Sequence, residues 1–408
     1  MTSKPIAFSR RALLSFGAGA ALAGIGGRAF ANQAEWRDGF DSAARVARKS
    51  TSTTPVLSAD TVQATEAALA QYNDIVARGG WSAVPTNQRL KLGLRSPNVA
   101  ALRARLVASG DLRAVAGVPD AFDSYVEGAV RRFQARHGLL PVGVVGPDTM
   151  KALNVSAEDR LRQLETNIVR LRSMSGNLGP RFVTVNIPAA EIEAVDGGIV
   201  AGRFTGVVGK VDRPSPTLAV KIQEVNFNPF WTVPASIVRK DLIPKMQSEP
   251  DYLTKNKIRI YDQRGNMLVP EQVNWHSDEA TNYMFRQDPG EINSMGTIRI
   301  NMPNKDGVYM HDTPSKGLFG ENARFHSSGC VRIQNVRELV TWLLRDSGDW
   351  SRQNIDAAIK SGERIDAKLK QAIPVYWVYI TGWGGVDGLV QFRDDIYNRD
   401  GIGTLALR

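Results

Sequence analysis

The segment YMHDTPSKGLFGENARFHSSGCVRI, residues 309–333, contains two short strand-like runs that are joined by a polar loop. The first run ends at His311, and the second contains Cys330, the single cysteine of the 408-residue chain. Side chains alternate along a strand, so Cys330 and Arg332 share one face of the second run. We therefore predict two strands of one sheet that bring His311 and Cys330 together across the loop.

The side chains next to His311 and Cys330 also divide between the two faces of the predicted strands. Tyr309 shares a face with His311, whereas Val331 and Ile333 point away from Cys330 and are predicted to enter the core. Gly329 gives the backbone the freedom to turn N–H groups toward a reacting oxygen, as acyl transfer requires. Asn335 and Glu338 are predicted to cap the helix that follows, whose buried face contains Val336, Leu339, Val340 and Leu343.

A thiol attacks an acyl carbon only as a thiolate, so it needs a nearby base or a positive field. His311 is the predicted base. A cysteine that only packs in the core is the alternative interpretation. Three other histidines are present. His137 is expected to end a helix as a cation and His276 to be solvated, whereas His326 is expected in the loop beside the cysteine.

The first 31 residues are typical of an export signal, with a small-residue cleavage site at Ala29-Phe30-Ala31. Arg10 and Arg11 precede an Ala/Gly-rich apolar run, which favours export by the twin-arginine route. The run is shorter and less apolar than a membrane-spanning helix requires, so an uncleaved anchor is the less favoured alternative. An unpaired thiol in an oxidising compartment is a liability unless it is used, which favours a functional Cys330. The mature protein is then expected outside the cytoplasm, in the periplasm and at the cell wall.

The overall composition is 43% hydrophobic and 23% charged, with a formal net charge of +10, and is typical of a globular protein. A basic exported protein is drawn to an acidic polymer such as a cell wall or to anionic lipid. No dense Lys/Arg cluster is interleaved with aromatic residues, so nucleic acid is not an expected partner. No cluster has metal-ligand spacing, and neither a metal nor a cofactor is expected.

The run 309–333 resembles the signature of the L,D-transpeptidases with a YkuD-like catalytic domain: His, a small or polar residue, Thr, a loop, then Ser-x-Gly-Cys-x-Arg. The runs NPFWTVP, RQDPG and QFRDDIYNRDG, beginning at 228, 286 and 391, are similar to the larger subgroup with a capping subdomain and a wall-binding module. Ser328 stands where many members have a second histidine.

The resemblance implies that Cys330 is the nucleophile and His311 its base. An Arg at 332 could instead be tied to a nearby carbonyl, and a Trp at 231 could instead belong to the core. The resemblance also implies oxyanion stabilisation or orientation of the base by Tyr309, the Asp312 carbonyl, Ser328 and Gly329. It implies substrate contact by Arg332, Trp231 and Ser327.

Residues 129–154, AVRRFQARHGLLPVGVVGPDTMKALN, resemble a three-helix peptidoglycan-binding module. Ser96 and Pro97 predict the start of its first helix, Gly146 and Pro147 that of its third. Ser124 and Glu127 predict a capping box for the second helix, with an apolar stripe that begins at Tyr125. A longer loop than the compact form leaves glycan contact open.

The predicted fold is multidomain α+β, with a mostly β catalytic sandwich. Its expected divisions are an export signal at 1–31, a linker or scaffold at 32–90, a three-helix domain at 91–155, a connecting helix at 156–180, and a catalytic domain at 181–408 with a capping insertion at about 243–292.

The resemblance implies a peptidoglycan L,D-transpeptidase that makes 3→3 cross-links between stem peptides through a cysteine thioester, with release of D-Ala. Carbapenem-type β-lactams are expected to acylate the same cysteine. The alternatives are an L,D-carboxypeptidase that uses water as acceptor, a non-catalytic wall-binding protein, and a ligase that joins a lipoprotein to the wall. No stable membrane span is expected after cleavage of the signal.

Overall fold

The computed structural model describes residues 52–114 and 117–401. The expected export signal at 1–31 lies outside these residues. Within the described ranges, no helix is both long enough and apolar enough to cross a membrane.

Five helices make up most of the N-terminal part of the described chain. A Ser, Asp or Gly residue stands at the N-cap of each, and Pro is the first helical residue of the second and fourth. In chain order they are α1 (Ala59–Ala77), α2 (Pro97–Ala108), α3 (Ser124–Arg136), α4 (Pro147–Leu153) and α5 (Ala157–Met174).

The starts of α2 and α4 agree with the sequence, but the start of α3 does not. The N-cap of α3 is Asp123, whose side chain accepts a hydrogen bond from the Val126 N–H at 3.0 Å, so the predicted capping box at Ser124 is wrong. A carboxylate at this position also suits the positive end of the helix. Tyr125 was expected in the apolar stripe, yet it is 60% exposed.

Helices α2, α3 and α4 surround one apolar core of their own. Its largest members are fully buried, and truncating a buried Leu or Phe typically costs about 2–5 kcal/mol. They are Leu90, Leu102, Leu106, Phe122, Phe133 and Leu153.

His137 ends α3 as expected, but not as a cation. Its ring stacks on Phe133 with 3.8 Å between the ring centroids, and it is buried. Burial lowers the pKa of His137 well below its usual value, and the positive charge of Arg136 adds to the effect. Desolvation of the ring therefore outweighs the helix dipole, which would favour a charged histidine here.

Fifteen strands lie in the described part of the chain after residue 180, and the remaining helices lie between them. They are β1 (Arg181–Asn186), β2 (Glu191–Asp196), β3 (Ile199–Gly209), β4 (Leu218–Phe227), β5 (Trp231–Thr232), β6 (Ile258–Tyr261), β7 (Met267–Leu268), β8 (Met284–Gln287), β9 (Ile298–Asn301), β10 (Met310–His311), β11 (Phe325–Ser327), β12 (Val331–Ile333), β13 (Ile365–Val378), β14 (Gly382–Gly384) and β15 (Val390–Phe392).

Nine of these strands form the main sheet, in the order β11-β3-β12-β10-β9-β4-β13-β1-β2. The long strand β3 also pairs with β2 through residues 199–205, so the two ends of the sheet meet. A turn at residues 196–198 joins these two strands. The closed sheet surrounds an apolar core, and α8 (Val336–Leu344) packs on that core beside α9 (Arg352–Ser361).

Helix α8 buries its predicted apolar face, but its predicted side-chain cap is wrong. Asn335 occupies the N-cap with φ 54°, and its side chain makes no capping hydrogen bond. A left-handed backbone is one that Asn tolerates better than most residues.

The insertion between β4 and β9 is a small folded unit, which we call the cap, residues 231–287. A sheet in the order β5-β8-β6-β7 packs with a helical segment, α6, formed by Ala235–Ile237, Val238–Leu242 and Ile243–Ser248, and with α7 (Tyr252–Lys255). Val233 and Val238 lie in its core, so the cap includes residues before the expected start near 243. Three short 3₁₀ turns complete the described helices: Pro270–Gln272, Asp278–Asn282 and, outside the cap, Lys316–Gly320.

The hairpin of β14 and β15 joins the helical part of the chain to the sheet. Phe392 is fully buried, its ring meets Tyr72 of α1 at 5.4 Å between centroids, and the Arg160 guanidinium of α5 lies 4.6 Å from its ring centre. Helix α1, which the sequence did not predict, comes so close that a Cβ at Gly384 would lie 2.2 Å from the Ala64 carbonyl oxygen.

Replacement of Phe392 by Ala is expected to reduce the free energy of unfolding by about 3–5 kcal/mol, because it leaves a cavity between three elements. Val386, in the same hairpin but 56% exposed, is the matched control: Val386→Ala should change it by less than about 0.5 kcal/mol. Urea denaturation followed by circular dichroism measures both. Equal effects of the two substitutions would contradict the joining role of Phe392.

Candidate active site

The two predicted strands of residues 309–333 are adjacent in the sheet. Strands β10 and β12 are parallel, with Met310 opposite Val331 and His311 opposite Arg332. The Val331 N–H donates to the Tyr309 carbonyl at 3.0 Å, so the pairing continues back to the position of Cys330. The prediction that neighbouring strands bring His311 and Cys330 together is therefore confirmed for the backbone.

Strand β9 lies on the other side of β10, and it adds a residue that the sequence did not single out. Arg299 is opposite His311 across this antiparallel pair. Residues that are opposite each other in neighbouring strands project from the same face of a sheet, so His311 lies between Arg299 and Arg332. The Arg299 guanidinium also lies 4.6 Å from the ring centre of Tyr309.

The candidate residues on this face line a cavity of about 410 Å³ between the sheet and the cap. Tyr309, His311, Ser327, Ser328, Cys330 and Arg332 form the wall on the side of the sheet. Trp231, Ile237, Asp241, Leu242 and Tyr252 of the cap form the opposite wall. Trp231 is only half-buried, so this side chain contributes to the cavity as well as to the core of the cap.

The loop before Cys330 is held by hydrogen bonds within itself. The Ser327 hydroxyl donates to the Cys330 carbonyl at 2.5 Å and accepts from the Gly329 N–H at 3.2 Å. The Gly329 N–H, which the sequence suggested for an oxyanion, is thus already used. Gly329 has φ 111°, a conformation that favours glycine over any side chain.

A second set of hydrogen bonds, made by Ser215 and Tyr397, holds the same loop. The buried Ser215 hydroxyl donates to the Gly329 carbonyl at 2.8 Å and accepts from the Gly209 N–H at 2.9 Å. The Tyr397 hydroxyl accepts from the Ser215 N–H at 3.1 Å. Tyr397 lies in the run QFRDDIYNRDG. This distant run therefore supports the backbone beside Cys330.

Burial controls the protonation of Cys330. It raises the pKa of the thiol to about 11, although the polar groups of Tyr309 and the positive charges of Arg299 and Arg332 oppose the shift. The cost of placing a thiolate in this cavity is therefore larger than the stabilisation that those groups provide. The resting thiol is neutral at pH 7.

His311 shifts in the opposite direction. Burial, followed by the positive charge of Arg332, lowers the pKa of its imidazole to about 4. The carbonyls of Asp312 and Met295 lie beside the ring and oppose the shift. The Nδ1 atom is buried and makes no hydrogen bond with any residue that the structure describes. The imidazole is neutral at pH 7 and able to accept a proton.

The side chain of Asp312, the residue after His311, is held by hydrogen bonds and an ion pair. Its Oδ2 accepts from both the N–H and the hydroxyl of Thr297, each at 3.0 Å, and its Oδ1 pairs with Lys316. Burial alone would raise the pKa of Asp312, but the bonds to Lys316 and Thr297 outweigh it and lower the pKa. Gly296 is needed here, since a Cβ would lie 2.5 Å from Oδ2.

Three histidines lie apart from the cavity. His326 is exposed and contacts Glu321 at 2.8 Å, so it does not face Cys330 although it is only four residues away. His276 is exposed on the cap, and His137 is buried near the helical module. Among the described residues, no cluster of three or more His, Cys, Asp or Glu side chains could hold a metal ion.

Arg213 connects the loop of Cys330 to the cap, and sequence reasoning did not find it. It pairs with Asp241 of α6 and donates to the Ser328 hydroxyl at 3.0 Å. Neither Arg213 nor Arg299 lies in the quoted motif, because strand pairing rather than sequence proximity brings them to the site. An alternating strand with a charged inward side chain, as in 297–302, is the only signal that could have marked Arg299.

Two family models match the chain. Residues 180–363 match the L,D-transpeptidase catalytic domain, and residues 95–153 match a "Putative peptidoglycan binding domain". Residues 180–363 are therefore similar to an L,D-transpeptidase catalytic domain. The domain is mixed α+β and β-rich, as predicted, and its match includes both His311 and Cys330.

A protein of Haemophilus influenzae, described as "Putative L,D-transpeptidase", is 33% identical over 250 residues, which are 60% of this chain. The chain spans about half the length of that relative.

Similar solved structures include an L,D-transpeptidase from Stackebrandtia nassauensis, with 12% identity over 72% of this chain and 97% of that one, and a TM-score of 0.27. L,D-transpeptidase 3 of Mycobacterium tuberculosis has 10% identity over 49% of this chain and 61% of that one, with a TM-score of 0.25.

The neutral thiol has a measurable consequence. Iodoacetamide should alkylate Cys330 slowly at pH 6, and the rate should rise about tenfold per pH unit up to pH 10, because the thiolate fraction grows until the pH reaches the pKa of about 11. Intact-protein mass spectrometry reports this residue alone, since the chain has one cysteine.

The control is the same protein unfolded in guanidinium, in which the thiol titrates near its ordinary pKa of about 8.5 and the rate levels off above it. A fast rate in the folded protein that is already constant from pH 6 upward would mean a resting thiolate and would contradict the neutral pair.

Proposed function

We propose that the protein is an exported peptidoglycan L,D-transpeptidase that makes 3→3 cross-links between stem peptides. One observation carries the proposal: His311 in β10 and Cys330, which immediately precedes the adjacent strand β12, line one cavity and fall within the matched catalytic domain. A nucleophile and a base that share a cleft are the minimum that thioester chemistry requires.

In the first half of the reaction, the Cys330 sulfur attacks the carbonyl carbon that joins the third, diamino residue of a tetrapeptide stem to its terminal D-Ala. His311 accepts the thiol proton as the carbon–sulfur bond forms. It then gives this proton to the departing amine, D-Ala leaves, and a thioester remains on Cys330. No metal enters this step.

In the second half, the side-chain amine of another stem attacks the thioester carbon. His311 takes a proton from the attacking amine and returns it to the sulfur as the carbon–sulfur bond breaks. The products are the 3→3 cross-link and the free thiol, so the catalyst is unchanged. A hydrolase would use water in place of the amine at this point.

The resting protonation states favour proton transfer during the attack rather than before it. With a thiol pKa of about 11 and an imidazole pKa of about 4, a prior transfer would cost roughly 10 kcal/mol before the attraction between the new charges is counted. General-base catalysis avoids a fully formed buried ion pair. The positive field of Arg299 and Arg332 stabilises negative charge as it develops on sulfur.

The oxyanion of the tetrahedral intermediate requires donors that are not already used. The Gly329 N–H donates to Ser327, so we assign the role to the N–H of Cys330, with the hydroxyl of Tyr309 as a second donor. Burial raises the pKa of Tyr309, so its hydroxyl keeps its proton and remains a donor.

We assign Arg332 to a carboxylate of the donor stem. Its guanidinium lines the cavity and makes no hydrogen bond or ion pair within the described ranges, and its Nε is buried. The alternative, an Arg tied to a nearby carbonyl, has no such bond to support it. A buried cation without a partner gains strongly from a charged ligand.

The cap favours transfer over hydrolysis. Arg213 links Asp241 of the cap to Ser328 beside the nucleophile, which keeps the cap over the cleft. A covered cleft limits the access of water to the thioester and admits the second stem along a defined path.

We also propose the domain division and location that the sequence suggested: a signal at 1–31, a scaffold at 32–90, a wall-binding module at 91–155, a connecting helix at 156–180, and a catalytic domain from 181 with the cap inserted. Peptidoglycan lies outside the cytoplasm, so this function requires export to the periplasm. Acylation of Cys330 by a carbapenem is part of the same proposal.

The test is mass spectrometry of isolated tetrapeptide muropeptides after incubation with the protein under reducing conditions. The expected products are dimers that lack one D-Ala. Cys330→Ala should abolish them, and His311→Gln should slow their formation by about 10²–10⁴-fold, because it removes the general base.

Exposed His326→Gln is the matched control and should leave the rate unchanged, since this side chain contacts Glu321 outside the cavity. Tripeptide monomers alone would instead establish the carboxypeptidase. The absence of both products from a folded sample would contradict an enzymatic role.

A further inference from the structure

A second cavity, of about 130 Å³, lies where the helical module meets the catalytic domain. Helix α5, the loop before β11 and the end of β15 all contribute to its wall. It shares no lining residue with the cavity of Cys330. The proposed transpeptidase reaction does not use this second cavity.

Two arginines in this cavity, the buried Arg160 and the half-buried Arg393, donate hydrogen bonds only to uncharged groups of the described residues. Arg160 donates to the Gln163 side chain at 2.8 Å and to the Ala152 carbonyl at 3.3 Å, and Arg393 donates to the carbonyls of Arg136 and Phe392 at 2.9 and 2.7 Å. Within the described chain, neither forms an ion pair, and both Nε atoms are buried without a hydrogen bond.

The charge of the cavity wall is positive. Lys151, Arg160, Arg324 and Arg393 contribute four cations, against the carboxylates of Asp148 and Asp394. Both acids already have partners: Asp394 pairs with Lys151 at 2.7 Å, and Asp148 accepts from Asn322 at 2.9 Å. Burial lowers the pKa of Arg160 and of Arg393 to about 10, although Asp394 and Asp159 oppose the shift at Arg160 and Glu191 opposes it at Arg393, so the charge of each guanidinium is only partly compensated.

The rest of the wall is small and apolar. Leu139, Pro188, Ala189 and Phe325 line the cavity, which has room for a group of only several heavy atoms. A carboxylate on a short aliphatic carbon fits both properties: its oxygens match guanidinium donors, and its methyl group fits the apolar surface.

We propose that this cavity binds a carboxylate at the end of a short apolar group, such as the D-alanyl terminus of a stem peptide. The identification of peptidoglycan as the source of the carboxylate rests on the proposed function, but the recognition chemistry does not. The ligand would contact both the module and the catalytic domain and hold them against the same strand of cell wall.

The test is isothermal titration of the full chain carrying Cys330→Ala, which binds without turnover, so a failure of catalysis does not affect it. The probes are N-acetyl-D-alanine, its uncharged amide N-acetyl-D-alaninamide, and sodium phosphate. The acid should bind at least tenfold more tightly than the amide, because only the acid supplies a charged acceptor to the guanidinium groups. Tighter binding of phosphate than of the acid would overturn the proposal in favour of an inorganic ion.

Two further variants locate the binding. Arg160→Gln should weaken the affinity for the acid at least tenfold, whereas Arg162→Gln, exposed on the same helix, should not change it. Ala323→Phe, at an exposed position on the cavity wall, should block binding without removing charge, even if Arg160→Gln proves unstable. Binding that persists in Ala323→Phe would place the acid elsewhere, for example at Arg332, and would overturn the proposal.

Discussion

The pairing of a two-residue strand, Met310–His311, between β9 and β12 is the constraint on which the site depends. The alternation of side chains within three strands places Arg299, His311 and Arg332 in one row, with Cys330 next to that row. A shift of β10 by one residue in this register would turn His311 into the core and Met310 into the cleft. Apolar burial therefore fixes the geometry of His311 and Cys330, since Met310, Val331 and Ile333 are fully buried.

The same burial determines the electrostatics. It makes charge costly on both reacting groups, so the thiol and the imidazole are each neutral, and the arginines stabilise charge only as it forms. Ser215 and Tyr397 support the loop of Cys330, so the C-terminal run helps to hold the backbone of the motif in place. The hairpin around Phe392 then connects this support to the helical module, so the module and the sheet that positions Cys330 share one framework.

The sequence predicted more of the site than of its surroundings. The alternation in residues 330–333 was enough to assign Val331 and Ile333 to the core, because period-2 patterning is local information. Arg299 and Arg213 were not predicted, since their proximity to Cys330 depends on strand pairing and on the cap. Local rules also failed where solvation decided the result: the buried His137 is neutral, and Asn335 begins its helix through its backbone rather than through its side chain.

The protonation state of His311 tests the central claim most directly, because burial between two arginines should keep this imidazole neutral. Nitrogen-15 NMR of the histidine rings measures it, and a His311→Gln variant assigns the signal among the four histidines of the chain. The account predicts a neutral ring from pH 5 to pH 9 that titrates near pH 4. An imidazolium at pH 7 that loses its proton only at higher pH would reveal a resting ion pair with Cys330 and would contradict it.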